Sequence, residues 1–162
     1  MKTAVIIDDE FDARRILRKY LERYFPEIVI KGEAESVEEG LKLIQQSKPE
    51  FVFLDIKMGD GTGFDLIDKL NGPLPKIIFT TAFDEYAVKA FRYHAIDYLL
   101  KPIDPEILME SMNKLMQQEE SMKKDSWELI INQIKKTDKK IGIPTQEGFK
   151  FIPLENIIFF EA

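Results

Sequence analysis

The sequence predicts an α/β fold: a doubly wound five-stranded parallel sheet, followed by a linker and a partial β-rich segment. Three observations carry this. Five short apolar runs rich in Val, Ile and Phe recur between residues 3 and 100. Segments with helical spacing separate them, so strand and helix alternate, which implies a parallel sheet with helices on both faces. The run Phe51–Leu54 is apolar at every position, as a strand covered on both faces is.

The elements follow in order. The strands are 3-TAVII-7, 28-IVIKGEA-34, 51-FVFL-54, 76-KIIFTT-81 and 96-IDYLL-100. The first helix is read over 11–25, where Ile16, Leu17, Tyr20, Leu21 and Tyr24 recur at steps of three and four. The second, over 36–46, opens with Ser36 as cap and Glu39 at the capping-box spacing. Further helices are expected over 63–70, 84–92 and 104–122. Asp104-Pro105 suits the start of the last, a capping acid before proline in the first turn. Met109, Met112 and Met116 on that helix have the spacing of a packing face.

Past residue 118 the character changes. Residues 119–138 are charged and read as a linker or helix extension, with an apolar island at Trp127, Leu129, Ile130, Ile131 and Ile134. That island suits packing on the body or pairing with a second chain. Lys135, Lys136, Lys139 and Lys140 read as a solvated face of the linker. Residues 139–162 look like β-structure: Ile141, Ile143, Phe149 and Phe151 flank a turn containing Gly148, and Ile157–Phe160 begins another strand. A strand that starts where the sequence stops predicts a truncated second domain.

Composition narrows the function. The chain has 162 residues, a net charge of −6, no cysteine and one histidine. Disulfides, thiolate metal sites and multi-histidine metal sites are excluded. Residues 123–162 hold seven Lys and six Asp or Glu, so the first 122 carry about −7 of that charge. A region this acidic is a poor binder of nucleic acid by itself and a good host for a cation. No apolar run is long enough for a membrane span, and the N-terminus lacks the pattern of a signal peptide. The expectation is a soluble cytoplasmic protein. His94, between two apolar segments, reads as a surface or helix-end residue.

The chemistry sits at strand ends. Asp8 and Asp9 follow the first strand directly, and Asp55 follows the third. If those strands are neighbours, three carboxylates meet at one edge, where ligands bind in such folds. Each pair at about 4 Å repels by roughly 4 kcal/mol at an effective dielectric near 20. A hard divalent cation such as Mg2+ compensates, since it takes carboxylates and shares phosphate oxygens. Thr81 ends the fourth strand and Lys101 the fifth. Three acids, a hydroxyl and an ammonium suit a phosphoryl group carried on Asp55, which acts as nucleophile towards phosphorus.

These residues resemble the receiver domain of two-component response regulators. The resemblance covers residues 1–118 and rests on 6-IIDDE-10, 54-LDIKMGDGTGFDLI-67, 79-FTTAFDEYAVKAF-91 and 97-DYLLKPI-103. It implies a flavodoxin-like fold with Asp55 as phosphoacceptor. It implies that Asp8, Asp9, Asp55 and the backbone carbonyl of Lys57 hold Mg2+. Thr81 and Lys101 match the family's phosphate-sensing hydroxyl and its lysine, Tyr98 the aromatic switch, and Lys101-Pro102 a peptide bond that is cis in the family. One departure is Gly59, where the family usually has proline, which predicts a looser loop. Residues 139–162 are similar to the opening of a LytTR-type DNA-binding domain.

The resemblance implies a sensor histidine kinase as donor, a homodimer when phosphorylated, and promoter DNA bound through the complete effector domain. An enzyme of the haloacid-dehalogenase type also uses a nucleophilic aspartate and Mg2+, but needs a second acid two residues on, where this chain has Lys57. The chain is therefore read as a regulator and not an enzyme. A phosphorylation-independent protein-interaction module is the alternative, and a regulator whose output is protein binding is a third reading.

Overall fold

The five apolar runs become the five strands of one parallel sheet. The computed structural model describes residues 2–117, 140–145 and 148–153. In chain order the elements are β1 (Lys2–Ile7), α1 (Phe11–Tyr24), β2 (Ile28–Ala34), α2 (Val37–Ser47), β3 (Phe51–Leu54), β4 (Lys57–Met58), β5 (Gly61–Thr62), α3 (Gly63–Asp68), β6 (Lys76–Thr81), α4 (Ala87–Arg92), β7 (Asp97–Leu100), α5 (Pro105–Gln117), β8 (Lys140–Thr145) and β9 (Gly148–Pro153). The main sheet has the order β2-β1-β3-β6-β7. The chain turns one way from β1 to β2 and the other way to reach β3. The switch in direction therefore falls between β1 and β3, whose register pairs Ile7 with Leu54.

Side chains of a strand alternate between faces, and here both faces are core. Ala4 and Ile6 of β1 pack with Phe51, Phe53 and Ile78 under Leu17 and Leu21 of α1 and Leu108, Met112 and Leu115 of α5. Val5 and Ile7 pack with Val52, Leu54, Phe79 and Tyr98 under α2, α3 and α4. Each buried Val, Leu, Ile, Phe or Met side chain among them contributes about 1.5–3 kcal/mol. Met109 and Met116 pack against the α1–α5 side, so the methionine spacing of α5 is a packing face.

Several boundaries differ from the sequence expectation. Helix α4 starts at Ala87 rather than 84, because the Ala87 N–H donates to the Asp84 carbonyl in a tighter turn and no side chain caps the helix. Helix α3 stops at Asp68, just before 71-NGP-73, where Gly72 has φ +98°. Helix α5 is described to Gln117, so the expected extension to 122 lies outside the described residues. Ile16 and Tyr24 of α1 are exposed, while Arg14 joins Leu17 and Leu21 on the buried stripe. His94 is an exposed helix-end residue in the left-handed region, φ 54°.

Capping also departs from expectation. Ser36 Oγ accepts from the Glu39 N–H, but Glu39 reaches the Glu35 N–H instead of closing a box on Ser36. The N–H groups of Val37 and Glu38 go to the carboxylate of Asp60, at 2.8 and 3.1 Å. A complete capping box forms on α3, between Thr62 and Asp65. The Gly59 loop, expected to be loose, is thus the turn of a two-residue antiparallel pair, β4 with β5, tied to α2 through Asp60. Asp104 Oδ1 accepts from the Glu106 N–H at the start of α5, as the sequence indicates.

Residues 140–145 and 148–153 form an antiparallel hairpin, with Thr145 opposite Gly148. Gly148 therefore opens β9 instead of lying in the turn. The Trp127 island, the lysines 135–139 and the Ile157–Phe160 run lie outside the described residues.

Gly63 is the glycine on which the β3 end depends. A Cβ there would stand 2.4 Å from the main-chain oxygen of Asp55, a contact only backbone movement can relieve. Gly63→Ala should lower unfolding stability by about 1–3 kcal/mol in urea denaturation. At Gly59 an added Cβ meets nothing within 4 Å. Gly59→Ala should therefore change stability by less than about 0.5 kcal/mol.

Candidate functional site

The carboxyl ends of β1, β3, β6 and β7 converge because the strands are parallel and in register. The Asp55 N–H extends the ladder to the Ile7 carbonyl at 2.8 Å, and the Lys101 N–H does the same to the Thr81 carbonyl at 2.8 Å. The ladder thus delivers Asp8, Asp55, Thr81 and Lys101 to one edge. The Lys101-Pro102 peptide is cis.

Asp8 and Asp55 are buried, at 2% and 4% exposure, while Asp9 and Glu10 are exposed. Each of these four acids places one carboxylate oxygen within 4.8 Å of the others. Lys101 Nζ lies 2.8 Å from Asp8 Oδ2, 3.0 Å from Asp55 Oδ2 and 2.9 Å from Glu10 Oε1. The other oxygen of Asp55, Oδ1, accepts from the Ile56 N–H at 2.6 Å. Asp8 Oδ1 accepts from the Glu10 N–H at 2.9 Å.

One ammonium is shared among three carboxylates, those of Asp8, Glu10 and Asp55. Burial pushes the Asp8 carboxyl up to about 6, outweighing its hydrogen bond from Lys101. For Lys101, burial works against the charge, but the bonds to Asp8 and Glu10 win and hold it well above the usual lysine range.

Thr81 is fully buried, and its Oγ1 accepts from the Phe83 N–H at 3.4 Å. Tyr98 is also fully buried, its ring 6.3 Å from that of Phe79, and its hydroxyl donates to the Phe83 carbonyl. Burial pushes the Tyr98 phenol far above its ordinary range. Residue 83 thereby joins the two hydroxyls through its own main chain. Lys57 does not join the acids with its side chain. Its ammonium sits 4.1 Å from the Phe83 ring centroid and 5.7 Å from that of Tyr86.

The structure thus brings Asp8, Asp55 and Lys101 into contact and sets Asp9 beside them. It adds Glu10, Arg14, Asp60 and Phe83, which the sequence does not single out. Glu10 stands in the motif 6-IIDDE-10, but its reach to Lys101 spans 91 positions and has no local signal.

Residues 4–113 match the response regulator receiver domain family. The chain belongs to that family. It is 36% identical over 98% of its length to the sensory transduction protein LytT of Bacillus cereus, and covers 65% of that protein. It is 37% identical over 94% of its length to the transcriptional regulatory protein BtsR of Escherichia coli, and covers 58% of it. The chain therefore spans less than two thirds of these curated relatives. Among solved structures, the REC domain of AraT, a response regulator from Geobacillus stearothermophilus, matches with TM-score 0.61 and 32% identity, over 72% of this chain and 96% of that one. A two-component response regulator from Clostridium difficile matches with TM-score 0.66 and 29% identity, over 75% of this chain and all of the other. The receiver fold is shown by these matches and by the strand order. No helix among the described residues is long and apolar enough to cross a membrane.

Because Asp8 is raised from 3.8 to about 6, its ionisation weakens the metal-free fold. Its contribution is fully present below about pH 3.8 and is lost as pH rises through about 6. Asp8→Asn should therefore melt about 4 °C higher than wild type at pH 7 in metal-free buffer. Calorimetric scans should show that gap narrowing below pH 6 and closing near pH 4.

Proposed function

We propose that this chain is the receiver part of a two-component response regulator, and that Asp55 accepts a phosphoryl group from a sensor histidine kinase. The observation that carries this reading is the single ammonium of Lys101 held between Asp8 and Asp55 inside a cluster of four acids.

The cluster fits Mg2+. Its donors are all oxygens, they lie within 4.8 Å of one another, and Lys101 contacts only three of the four acids. Asp8, Asp9, Asp55 and the backbone carbonyl of Lys57 would hold the ion, with Glu10 at the rim. When bound, Mg2+ neutralises charge on the phosphoryl oxygens and removes the repulsion among the acids.

The chain's own atoms do the rest. Asp55 Oδ1 is held by the Ile56 N–H, which leaves Oδ2 as the attacking oxygen. A new O–P bond forms at Oδ2, the P–N bond of the donor phosphohistidine breaks, and its imidazole leaves with the electron pair and takes up a proton. Lys101 Nζ exchanges its contact with Oδ2 for a phosphoryl oxygen. The Thr81 hydroxyl donates to another. Since Thr81 Oγ1 accepts from Phe83, and Phe83 accepts from Tyr98, movement of the hydroxyl is passed to the ring. The enclosed Tyr98 ring supports a reading in which the phosphoryl oxygens favour an inward ring. The phosphoryl group shifts a population, because it binds one arrangement better than the other.

The surface that responds is built from α4, β7 and α5. In this reading it pairs two phosphorylated chains and brings two effector domains to promoter DNA. Residues 1–118 form the receiver, 119–138 the linker, and 139–162 the first part of a LytTR-type DNA-binding domain. Support for the last is the β8–β9 hairpin and the likeness to LytT over nearly the whole chain. The protein works as a cytoplasmic regulator and not as an enzyme.

Intact-mass measurement after acetyl phosphate and Mg2+ tests the acceptor. Wild type should gain one phosphoryl group, and Asp55→Asn none. No gain in wild type with acetyl phosphate, with a cognate kinase or as a beryllofluoride complex would leave the phosphorylation-independent module as the reading. Tyr98→Phe removes the bond to the Phe83 carbonyl. It should accept phosphoryl as wild type does while losing phosphorylation-dependent dimerisation by light scattering, at a stability cost of about 0.5–1.5 kcal/mol.

A further inference from the structure

Arg14 is a charged residue on a buried helix stripe. It lies at the step of three before Leu17 on α1, and only 8% of it is exposed. An apolar side chain would satisfy the packing there, and burying a guanidinium is expensive unless it is paired. Its partners show what it serves. Nη1 donates to the main-chain carbonyl of Asp8 at 2.5 Å. Nε donates to Glu33 Oε2 on β2 at 3.3 Å, and Nη2 lies 3.7 Å from Glu35 Oε2. Glu33 is held in turn by Arg18 Nε at 2.5 Å.

The Asp8 carbonyl stands just past the end of the ladder. The last β1–β2 rung is Ile7 with Ala34, and the last β1–β3 rung is Ile7 with Leu54. From this point three acids follow in succession, Asp8, Asp9 and Glu10, on a turn that their repulsion drives apart. Lys101 restrains the turn through the side chains of Asp8 and Glu10. The Asp8 N–H is held by the Ala34 carbonyl and the Glu10 N–H by Asp8 Oδ1, while the Arg14 side chain holds the Asp8 carbonyl and brings a second positive charge to the turn.

We propose that Arg14 is a positioning residue for the phosphoryl-acceptor site. Braced by Glu33 and Glu35, it fixes the backbone of the acid-bearing turn so that Asp8 and Asp9 present their oxygens to the cation as a preformed pair. The role rests on the proposed reading of the site. It needs the planar fork of arginine, since one ammonium cannot serve the Asp8 carbonyl and Glu33 in the same geometry.

The test is calorimetric Mg2+ titration of the full chain as wild type, Arg14→Met, Arg14→Lys and the exposed neighbour Arg15→Met. Groups that orient metal ligands typically alter metal affinity about 10- to 100-fold when removed. Both Arg14 variants should bind Mg2+ at least about tenfold more weakly, with Arg15→Met unchanged. Their initial rate with acetyl phosphate should recover as Mg2+ is raised. In metal-free buffer the Glu10 N–H, bonded to Asp8 Oδ1, should exchange faster in both. Wild-type Mg2+ affinity in a folded Arg14 variant, whatever its melting temperature, overturns the role and makes Arg14 a packing residue. If Arg14→Met does not fold, Arg14→Lys decides by the same criterion. A wild type that takes up no Mg2+ overturns the site reading and this role together.

Discussion

Four carboxylates crowd one edge of the sheet, and the ammonium of Lys101 is what lets them stay folded there. Two of them, Asp8 and Asp55, are almost wholly buried. Bare, they would repel each other in a medium that screens poorly. Lys101 touches both at 3.0 Å or less and reaches Glu10 as well. The compensation is partial, since Lys101 reaches three of the four carboxylates and Arg14 bonds only the main-chain oxygen of Asp8. That residual negative charge favours a divalent cation at this edge. The fold carries a cluster of like charges at one sheet edge, the kind of local cost that functional sites trade against stability.

Everything around the cluster serves to hold it in place against that repulsion. The parallel ladder carries β1, β3, β6 and β7 to the same level, so the site is assembled by hydrogen bonds of backbone that any sequence could make. Specific side chains then finish the geometry. Gly63 lets α3 begin against the Asp55 carbonyl, and Asp60 ties the turn after Asp55 to the start of α2. Arg14 ties the turn after β1 to β2. The main chain of Phe83 links Thr81, through its N–H, to Tyr98, through its carbonyl.

What could be read from the sequence was what is local or periodic. The apolar runs become strands because each is long enough to cross a sheet and apolar on both faces. Asp8, Asp9, Asp55, Thr81 and Lys101 were legible because they follow those runs directly, and a parallel sheet sends all such positions to one edge. The helix starts at Ser36 and Asp104 were legible from side chains that bond within two or three residues. Where the sequence misled, a distant group had taken over a local bond. The box expected at Ser36 stays open because Glu39 reaches the Glu35 N–H, and Asp60 takes the neighbouring N–H groups of Val37 and Glu38 from 23 and 22 positions away. The apolar stripe of α1 was misdrawn because Arg14, polar by type, is buried by partners on β2 and the turn after β1, while Ile16 is exposed.

The sequence by itself therefore determined the order of elements, the five-stranded parallel core and the set of residues at the strand ends, since each depends on spacing along the chain. Only the tertiary structure decided which of those residues touch. It made Lys101 the shared partner of Asp8, Glu10 and Asp55, raised the Asp8 carboxyl to about 6 and enclosed Tyr98 with its hydroxyl on Phe83. Charge compensation and burial depend on distances between strands far apart in the chain, and those distances exist only once the sheet has formed.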